Sequence, residues 1–225
     1  AEDFVTAALR AERAGFDGVE LHGAHGYVLS QFLSAEINGR GDRYGGTLEN
    51  RARLLFEIVA AVRARCRPDF LLGVRLSPER FGLRLGEIRD VAGQLLAGGA
   101  IDLLDLSLWD VFKEPEEPDF KGRSLLSYFT ELDRGAVRIG AAGKILSGAD
   151  AQRVLDGGAD FAIIGRGAIL HHDFPRRVQA DPAFRAVSPP VTADYLRSEG
   201  LGPAFIAYMG NWKGFVAQSS EQARQ

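Results

Sequence analysis

Short apolar runs alternate along this chain with longer segments whose apolar residues recur at helical spacing. The runs that read as strands are Asp17–His22, Phe70–Leu76, Ile101–Leu108, Val137–Ala142 and Asp160–Gly165. Each run is bounded by Gly, Pro or Asp, and the segments around 54–62 and 85–96 carry their apolar residues on one helical face. This alternation predicts an α/β fold built from parallel βα units.

A second pattern, with a period of two, divides each strand into two faces. In the first strand Glu20 and His22 share one face, and Val19 and Leu21 share the other. The next two strands repeat the split, with Gly73, Arg75, Asp105 and Ser107 on the small or polar side. Apolar faces suit helix packing, and the polar faces suit the interior and mouth of a (β/α)8 TIM barrel, where active sites lie at the carboxyl ends of the strands. We therefore expect the catalytic and binding residues at the carboxyl ends of the strands.

The number of units predicts how the chain is organised. A complete barrel has eight βα units and typically about 250 residues, whereas five units are visible here among 225 residues and the chain begins without Met. We predict the last five units of a TIM barrel at residues 1–178, a C-terminal tail at 179–225, and a longer parent chain. Five prolines beyond residue 173 predict a surface tail with one short helix near 201–208.

Composition narrows the class of protein. The chain is 46% hydrophobic and 25% charged, which is typical of a globular protein, and its net charge of −3 gives no basic field. Nucleic acid and membrane surfaces are therefore not expected as partners, and no apolar run reaches the roughly 20 residues that a membrane helix needs. We expect a soluble, cytoplasmic protein. The single cysteine, Cys66, permits no internal disulfide or cysteine-ligated cluster.

Two histidines and a tyrosine stand at the end of the first strand and directly after it. His22, His25 and Tyr27 place two imidazoles and a phenol at the predicted barrel mouth. From spacing alone, a structural pair of histidines that bonds loop backbone stays open as an alternative. A metal site is less favoured, because no third histidine or cysteine stands at ligand spacing, although carboxylates such as Glu20 remain available as ligands.

Arg75 is a charged residue on an otherwise apolar strand. Burying a guanidinium is costly unless an acceptor meets it. Either a carboxylate such as Glu20 or Asp105 pairs with Arg75, or a bound ligand does, and the periodicity does not choose between them.

Two glycine-containing loops follow the last two strands. They contain Gly143-Lys144 and Gly165-Arg166, and in barrels such loops collect backbone N–H groups and a basic side chain around a phosphate. We predict a phosphate site there, the alternative being that the glycines serve turn geometry alone.

Other polar and aromatic residues have structural explanations. For Arg40, Asp42 and Arg51 in the long loop after the first strand, we favour ion pairs that hold the loop. For the aromatic residues Trp109, Phe112, Trp212 and Phe215, packing in the core or the tail is favoured, and a role in lining a pocket is the alternative.

Residues 14–59 resemble the Old Yellow Enzyme family of NADH:flavin oxidoreductases. The resemblance lies in H-G-A-H-G-Y at 22–27, N-x-R-x-D-x-Y-G-G at 38–46 and, further along, V-R-L-S at 74–77. Residues 143–175 resemble the end of that family's barrel that holds the flavin phosphate, so the likeness runs from about Phe4 to Pro175.

The resemblance implies an FMN-dependent TIM barrel that passes hydride from NADH or NADPH through the flavin to an activated alkene. His22 and His25 would bond the oxygen of the small-molecule substrate, Tyr27 would supply a proton, and Arg75 would lie against the flavin ring. The FMN phosphate would contact Gly143, Lys144, Gly165 and Arg166. No metal is implied, and a homo-oligomer is compatible with the family.

Two other functions stay open from the residues alone. One is a flavin-free barrel isomerase or lyase that binds a phosphorylated substrate at Gly165 and Arg166 and uses His22 and His25 as acid and base. The other is a non-catalytic barrel subunit. Flavin absorbance on the purified full-length protein separates the first of these from a flavoenzyme.

Overall fold

The computed structural model of the chain describes residues 1–217, and within them every strand is followed by at least one helix. The strands are β1 (Gly18–Gly23), β2 (Leu71–Leu76), β3 (Leu103–Ser107), β4 (Arg138–Ala142) and β5 (Phe161–Ile163). The helices are α1 (Glu2–Arg13), α2 (Val28–Leu33), α3 (Leu48–Arg65), α4 (Leu85–Ala97), α5 (Ser127–Thr130), α6 (Gly148–Asp156), α7 (Arg166–Leu170), α8 (Phe174–Ala180), α9 (Ala193–Ser198) and α10 (Pro203–Gly210).

All five predicted strands are present, although some are shorter than the apolar runs. β5 begins only at Phe161, because the Asp160 carboxylate turns back to accept hydrogen bonds from Ile139 N–H at 2.8 Å and from Arg138 at 3.0 Å. β3 begins only at Leu103, after Asp102 has used its carboxylate on Leu72 N–H at 2.8 Å. In both cases the aspartate bonds the neighbouring strand twice, because its own N–H donates to the same residue of that strand at 2.8 Å.

The strands form one parallel sheet in the order β1-β2-β3-β4-β5. In the register, His22 stands opposite Arg75, and Arg75 stands opposite Asp105. Because side chains alternate between faces, these three lie side by side on one face, which we call the inner face. The inner face also carries Glu20, Gly73, Ser107, Gly140 and Phe161.

The outer face is apolar and buried, as the period-two pattern predicts. Leu72, Val74, Leu104 and Leu106 are all fully buried there. The helical faces predicted on α3 and α4 are buried as well: Leu54, Leu55, Ile58, Val59, Val62, Leu85, Ile88, Val91, Ala92, Leu95 and Leu96. Helix packing on one face therefore leaves the polar inner face to form the site.

The chain divides into two compact units. The first contains Ala1–Gly143 and Val154–Ile163, and the second contains Lys144–Arg153 and the chain from Ile164 onward. In the second unit α8, α9 and α10 surround a buried cluster that consists of Leu170, Phe174, Ala186, Val191, Leu196, Ile206, Met209 and Phe215. The prediction of a surface tail with one helix was therefore wrong for the described residues. Residues 218–225 of the predicted tail lie outside them.

The helix predicted near 201–208 is α10, and α8 and α9 were missed because prolines and short lengths hid their periodicity. α8 and α10 each have proline in the first turn, where the missing N–H has no helical partner in any case. Among the described residues, no helix is long and apolar enough to cross a membrane.

Candidate functional site

The three side chains predicted to act on substrate meet at the carboxyl end of β1. The ring centroids of His22 and His25 are 4.9 Å apart, and those of His22 and Tyr27 are 5.5 Å apart. His22 is half-buried, whereas His25 and Tyr27 are exposed. The fold therefore gathers these residues into one cluster that solvent, and hence a substrate, can reach.

The turn after β1 fixes the position of His25. This residue has a left-handed backbone with φ 61°, which is uncommon for a residue other than glycine. Its N–H donates to Ser77 Oγ at 3.1 Å, which ties the turn to the end of β2. The imidazole is thus held over the end of the sheet rather than free in a loop.

Ser107, at the end of β3, connects His25 to Arg75. His25 Nε2 lies 2.6 Å from Ser107 Oγ, and Arg75 Nη2 donates to the same oxygen at 3.5 Å. Both contacts are satisfied when Ser107 accepts from Arg75 and donates to Nε2, which leaves the ring proton of His25 on Nδ1. The sequence placed Ser107 on the polar face at a strand end, but it gave no sign of this link.

Both imidazoles are held neutral. Burial, and after it the charge of Arg75, lowers the pKa of His22. Partial desolvation at the end of the sheet, the charge of Arg75 and the neighbouring His22 lower the pKa of His25 to about 4. At neutral pH each ring therefore offers one N–H donor, without carrying a positive charge.

Arg75 is paired with a carboxylate, one of the two outcomes that the sequence left open. Its Nε lies 3.1 Å from Asp105 Oδ2, and Asp105 is 3% exposed. The N–H is not aimed at that oxygen, so Nε makes no hydrogen bond. Burial raises the pKa of Asp105 to about 7, Arg75 opposes the rise, and the negative charge of Glu20 adds to it.

The inner face around Arg75 fits a flavin ring edge. Among the described residues, the Arg75 guanidinium makes one hydrogen bond, the long one to Ser107, and its buried Nε makes none. The other N–H groups of this permanently charged side chain are therefore available to an acceptor that lies over the end of the sheet. A flavin N1 and O2 edge is an acceptor of that kind, and its electron-rich form is stabilised by a cation.

The residues predicted to hold phosphate are divided between the two units. In the first unit Gly143 follows β4, and its carbonyl accepts from Val111 N–H at 3.2 Å. A Cβ on Gly143 would stand 2.9 Å from the backbone nitrogens of Asp110 and Val111, so only glycine fits there.

In the second unit Lys144 and Arg166 belong to adjacent segments. A Cβ on Gly167 would stand 3.1 Å from the carbonyl oxygen of Ile145, which places the two chain segments side by side. Gly165 is exposed with open space around it, and Lys144 is exposed with φ 52°. The backbone at Gly165 is therefore accessible, as a phosphate contact requires.

The prediction that ion pairs hold the long loop after β1 is confirmed. Arg40 and Asp42 form an ion pair, and Tyr44 N–H donates to Asp42 at 3.0 Å. Arg51 is 4% exposed and donates to Gly46 O at 3.0 Å and to Glu87 at 2.6 Å. These residues hold the loop and do not belong to the cluster around His22.

The expectation that Trp109 packs in the core was wrong. This residue follows β3, its side chain is 56% exposed, and its backbone has φ 63°. The guanidinium carbon of Arg80 lies 4.2 Å from the centroid of its ring. Of the other aromatic residues, Phe215 is buried as expected, and Trp212 is 37% exposed.

Comparison with known proteins agrees with the family resemblance seen in the sequence. The profile of the NADH:flavin oxidoreductase / NADH oxidase family matches residues 1–183. An NADPH dehydrogenase of Bacillus cytotoxicus is 37% identical over 191 residues, which are 83% of this chain and 54% of that protein. An NADH oxidase of Thermoanaerobacter brockii is 33% identical over 186 residues, which are 79% of this chain and 28% of that protein.

Solved structures show the same likeness. Morphinone reductase superposes with a TM-score of 0.66 at 32% identity, and the match covers 87% of this chain and 51% of that one. The same enzyme in complex with tetrahydroNAD superposes equally well. The predicted TIM-barrel fold is thereby confirmed for this chain, which spans about half the length of morphinone reductase.

Proposed function

Since this chain belongs to the NADH:flavin oxidoreductase / NADH oxidase family, which includes Old Yellow Enzyme, we propose that it forms the substrate-binding half of an FMN-dependent ene-reductase. FMN is the cofactor of that family, and NADPH or NADH is named in its relatives. The proposal concerns the acceptor, an activated alkene such as an enone or a nitroalkene. It also concerns the roles of the individual residues.

The observation that carries the proposal is the cluster of His22, His25 and Tyr27 beside Arg75. Reduction of an enone at its β-carbon builds negative charge on the carbonyl oxygen, and two neutral imidazole N–H donors stabilise that charge. The exposed phenol of Tyr27, 5.5 Å from the His22 ring, is placed to give a proton to the adjacent carbon. Each group thus has a part in the same step.

Bound FMN would supply hydride transfer from the nicotinamide to the alkene. On this chain Arg75 would hold the N1 and O2 edge of the flavin, because its guanidinium retains donors toward the end of the sheet. In the second unit Lys144, Gly165 and Arg166 would take the phosphate, with the Gly165 N–H as donor and the two cations balancing the charge. Gly143, in the first unit, would contact the cofactor through its backbone N–H.

The electrostatics of the site favour this function over acid–base isomerisation. An isomerase needs a group that gains and loses a proton near neutral pH. His25, with a pKa of about 4, stays neutral there and suits oxygen binding better than proton transfer. The cluster of His22, His25 and Tyr27 likewise gives no reason to favour a non-catalytic subunit.

The test separates the two half-reactions in the full-length protein. We expect the double variant His22→Ala, His25→Ala to keep its flavin and to be reduced by NADPH or NADH at a rate within about threefold of the parent. Its reoxidation by cyclohexenone should slow by about 100-fold or more, because the oxyanion donors are lost. His172→Ala, at an exposed histidine in the second unit, is the matched control and should leave both rates unchanged.

Equal slowing of both half-reactions would mean that the histidines are structural, and the assignment would fall. Purification of the full-length parent without flavin absorbance would support the isomerase or lyase function instead.

A further inference from the structure

We propose that Arg80, stacked on Trp109, is a binding site for an anionic group, carboxylate or phosphate, of the molecule that enters the site. The inference rests on the proposed function for the identity of that molecule. It adds a recognition element on the loops that follow β2 and β3, beside the histidine cluster.

The two loops meet next to His25. Arg80, Phe81 and Trp109 line one small cavity together with His25 and Ser107. A Cβ on Gly26 would stand 2.9 Å from the Phe81 ring, so the loop after β2 is packed directly against the turn that carries His25. A group bound at Arg80 is therefore a neighbour of the substrate oxygen that His25 is proposed to hold.

The backbone around this cavity is strained at three residues that are not glycine. Arg80 has φ 70°, Phe81 has φ 54° and Trp109 has φ 63°. Asp110 N–H donates to Leu108 O at 2.7 Å, which closes a three-residue turn with Trp109 at its centre, a form that is rare and strained. Such conformations persist where the surrounding structure enforces them, and they concentrate at binding sites.

Hydrogen bonds on both sides enforce the conformation at Trp109. Leu108 N–H donates to Ala142 O at 2.9 Å, and Val111 N–H donates to Gly143 O at 3.2 Å. The turn between them pushes the indole out of the sheet end, where it is 56% exposed. The outcome is an aromatic platform at the cavity.

The stacking leaves the hydrogen-bond donors of Arg80 available. A guanidinium that interacts with the face of an aromatic ring through its charge does not use a hydrogen-bond acceptor in that contact. Among the described residues no carboxylate lies within ion-pair distance of Arg80, and its side chain makes no hydrogen bond. Lys113, the other cation at this cavity, is already paired with Glu79 and Glu116, both at 2.8 Å.

A guanidinium that lies over an aromatic ring and has no carboxylate partner among the described residues matches the two oxygens of a carboxylate or a phosphate. Two sources carry such a group: an acceptor alkene with its own carboxylate, and the phosphates of the nicotinamide dinucleotide. The experiment below separates them.

The first measurement compares kcat/KM of the full-length enzyme for a matched pair of acceptors, 3-maleimidopropionate and N-ethylmaleimide. With Arg80→Gln we expect the ratio of the anionic to the neutral acceptor to fall about tenfold, the loss of one bidentate contact. Arg80→Lys, which keeps the charge without the planar fork, should show a smaller fall. Arg84→Gln, at an exposed arginine in the same loop, is the control and should leave the ratio unchanged.

The second arm measures kcat/KM for NADPH and NADH. If the anion is a nucleotide phosphate, Arg80→Gln should lower kcat/KM for NADPH or for both nucleotides about tenfold and leave the acceptor ratio unaltered. If neither the acceptor ratio nor the nucleotide constants respond to Arg80→Gln, the proposal is overturned.

A direct binding measurement decides the matter if the full-length protein reduces no alkene, which would refute the proposed function alone. The fluorescence reports Trp109 in a background where Trp212, and every other tryptophan of the full-length protein, is replaced by phenylalanine. Saturable quenching by inorganic phosphate or acetate at constant ionic strength, abolished by Arg80→Gln and kept in Arg84→Gln, would support the anion site. An absence of quenching in the parent would refute it.

Discussion

Asp105 is the residue whose surroundings shape the inner face most strongly. It is buried beside Arg75 and near Glu20, and burial raises its pKa to about 7. The folded protein therefore holds a proton on this carboxyl more tightly than the unfolded chain does. By linkage, the free energy of unfolding falls as the pH rises from about 4 to about 7, and above that it no longer depends on this group.

We expect Asp105→Asn to remove this pH dependence. Asparagine keeps the shape and cannot ionise, so the variant should lose less stability than the parent between about pH 4.5 and about pH 7.5, by an amount on the order of a few kcal/mol. Urea unfolding at the two pH values measures it. The exposed Asp119→Asn is the control, and identical pH dependence in the parent and Asp105→Asn would contradict the prediction.

For individual residues, the sequence predicted those features that depend on the alternation of side chains along a strand. A period of two predicts which residues share the inner face and that Arg75 needs an acceptor there, but it does not decide whether a carboxylate or a ligand is that acceptor. The contact between Ser107 and His25 joins residues 82 positions apart, and the stacking of Arg80 on Trp109 depends on two loops whose backbone is left-handed. Neither has a signal in local sequence.

Among the elements, α3 is fastened by a single buried arginine. Arg51 donates to the carbonyl of Leu33 at the end of α2, to Gly46 O in the preceding loop, and to Glu87 on α4. One guanidinium thus satisfies three acceptors from three segments. These bonds hold the loop that leads from the histidine cluster into α3.

We expect Arg51→Met to destabilise the fold by about 2–4 kcal/mol, because it leaves buried acceptors and the Glu87 carboxylate without their donor. Arg40→Met breaks an exposed pair with Asp42 and should cost less than about 1 kcal/mol. Urea denaturation compares the two. Equal losses would show that the burial of Arg51 does not matter to stability.

Helix boundaries were predictable where a cap marks them. Thr47 accepts from Asn50 N–H at 3.3 Å at the start of α3, as its position before the apolar periodicity indicates. The helices of the second unit are shorter, and their apolar residues are buried by packing against each other rather than on a sheet. Periodicity along the chain carries little information about such a cluster.

For the whole molecule, the two edge strands are the feature with the clearest consequence. β1 and β5 each have one strand neighbour among the described residues. A cavity of about 950 Å³ opens at the amino ends of the strands, and Phe16 and Leu71 line it while they are 62% and 54% exposed. Exposed apolar surface next to unpaired strand edges favours association.

We therefore expect the 225-residue chain, purified by itself, to self-associate at micromolar concentration. Phe16→Lys together with Leu71→Lys should shift the sedimentation velocity profile toward monomer, because the charges disfavour burial of this surface. Leu155→Lys is the control, because it replaces a residue that is 40% exposed outside the cavity. It should leave the sedimentation velocity profile unchanged. A chain that is monomeric before any substitution would contradict the expectation.

The close approach of Gly143 to the loop after β3 has a consequence for protein engineering. Gly143 belongs to the residues proposed to contact the cofactor, and its backbone is in contact with the turn that displays Trp109. Any larger side chain at position 143 would displace that turn. If Trp109 and Arg80 bind the acceptor as proposed, a library that varies position 143 to alter flavin affinity would also change which acceptors bind. A library that varies Trp109 alone would explore only the turn conformations that Gly143 permits. Directed evolution of the proposed reductase therefore needs the two positions randomised together.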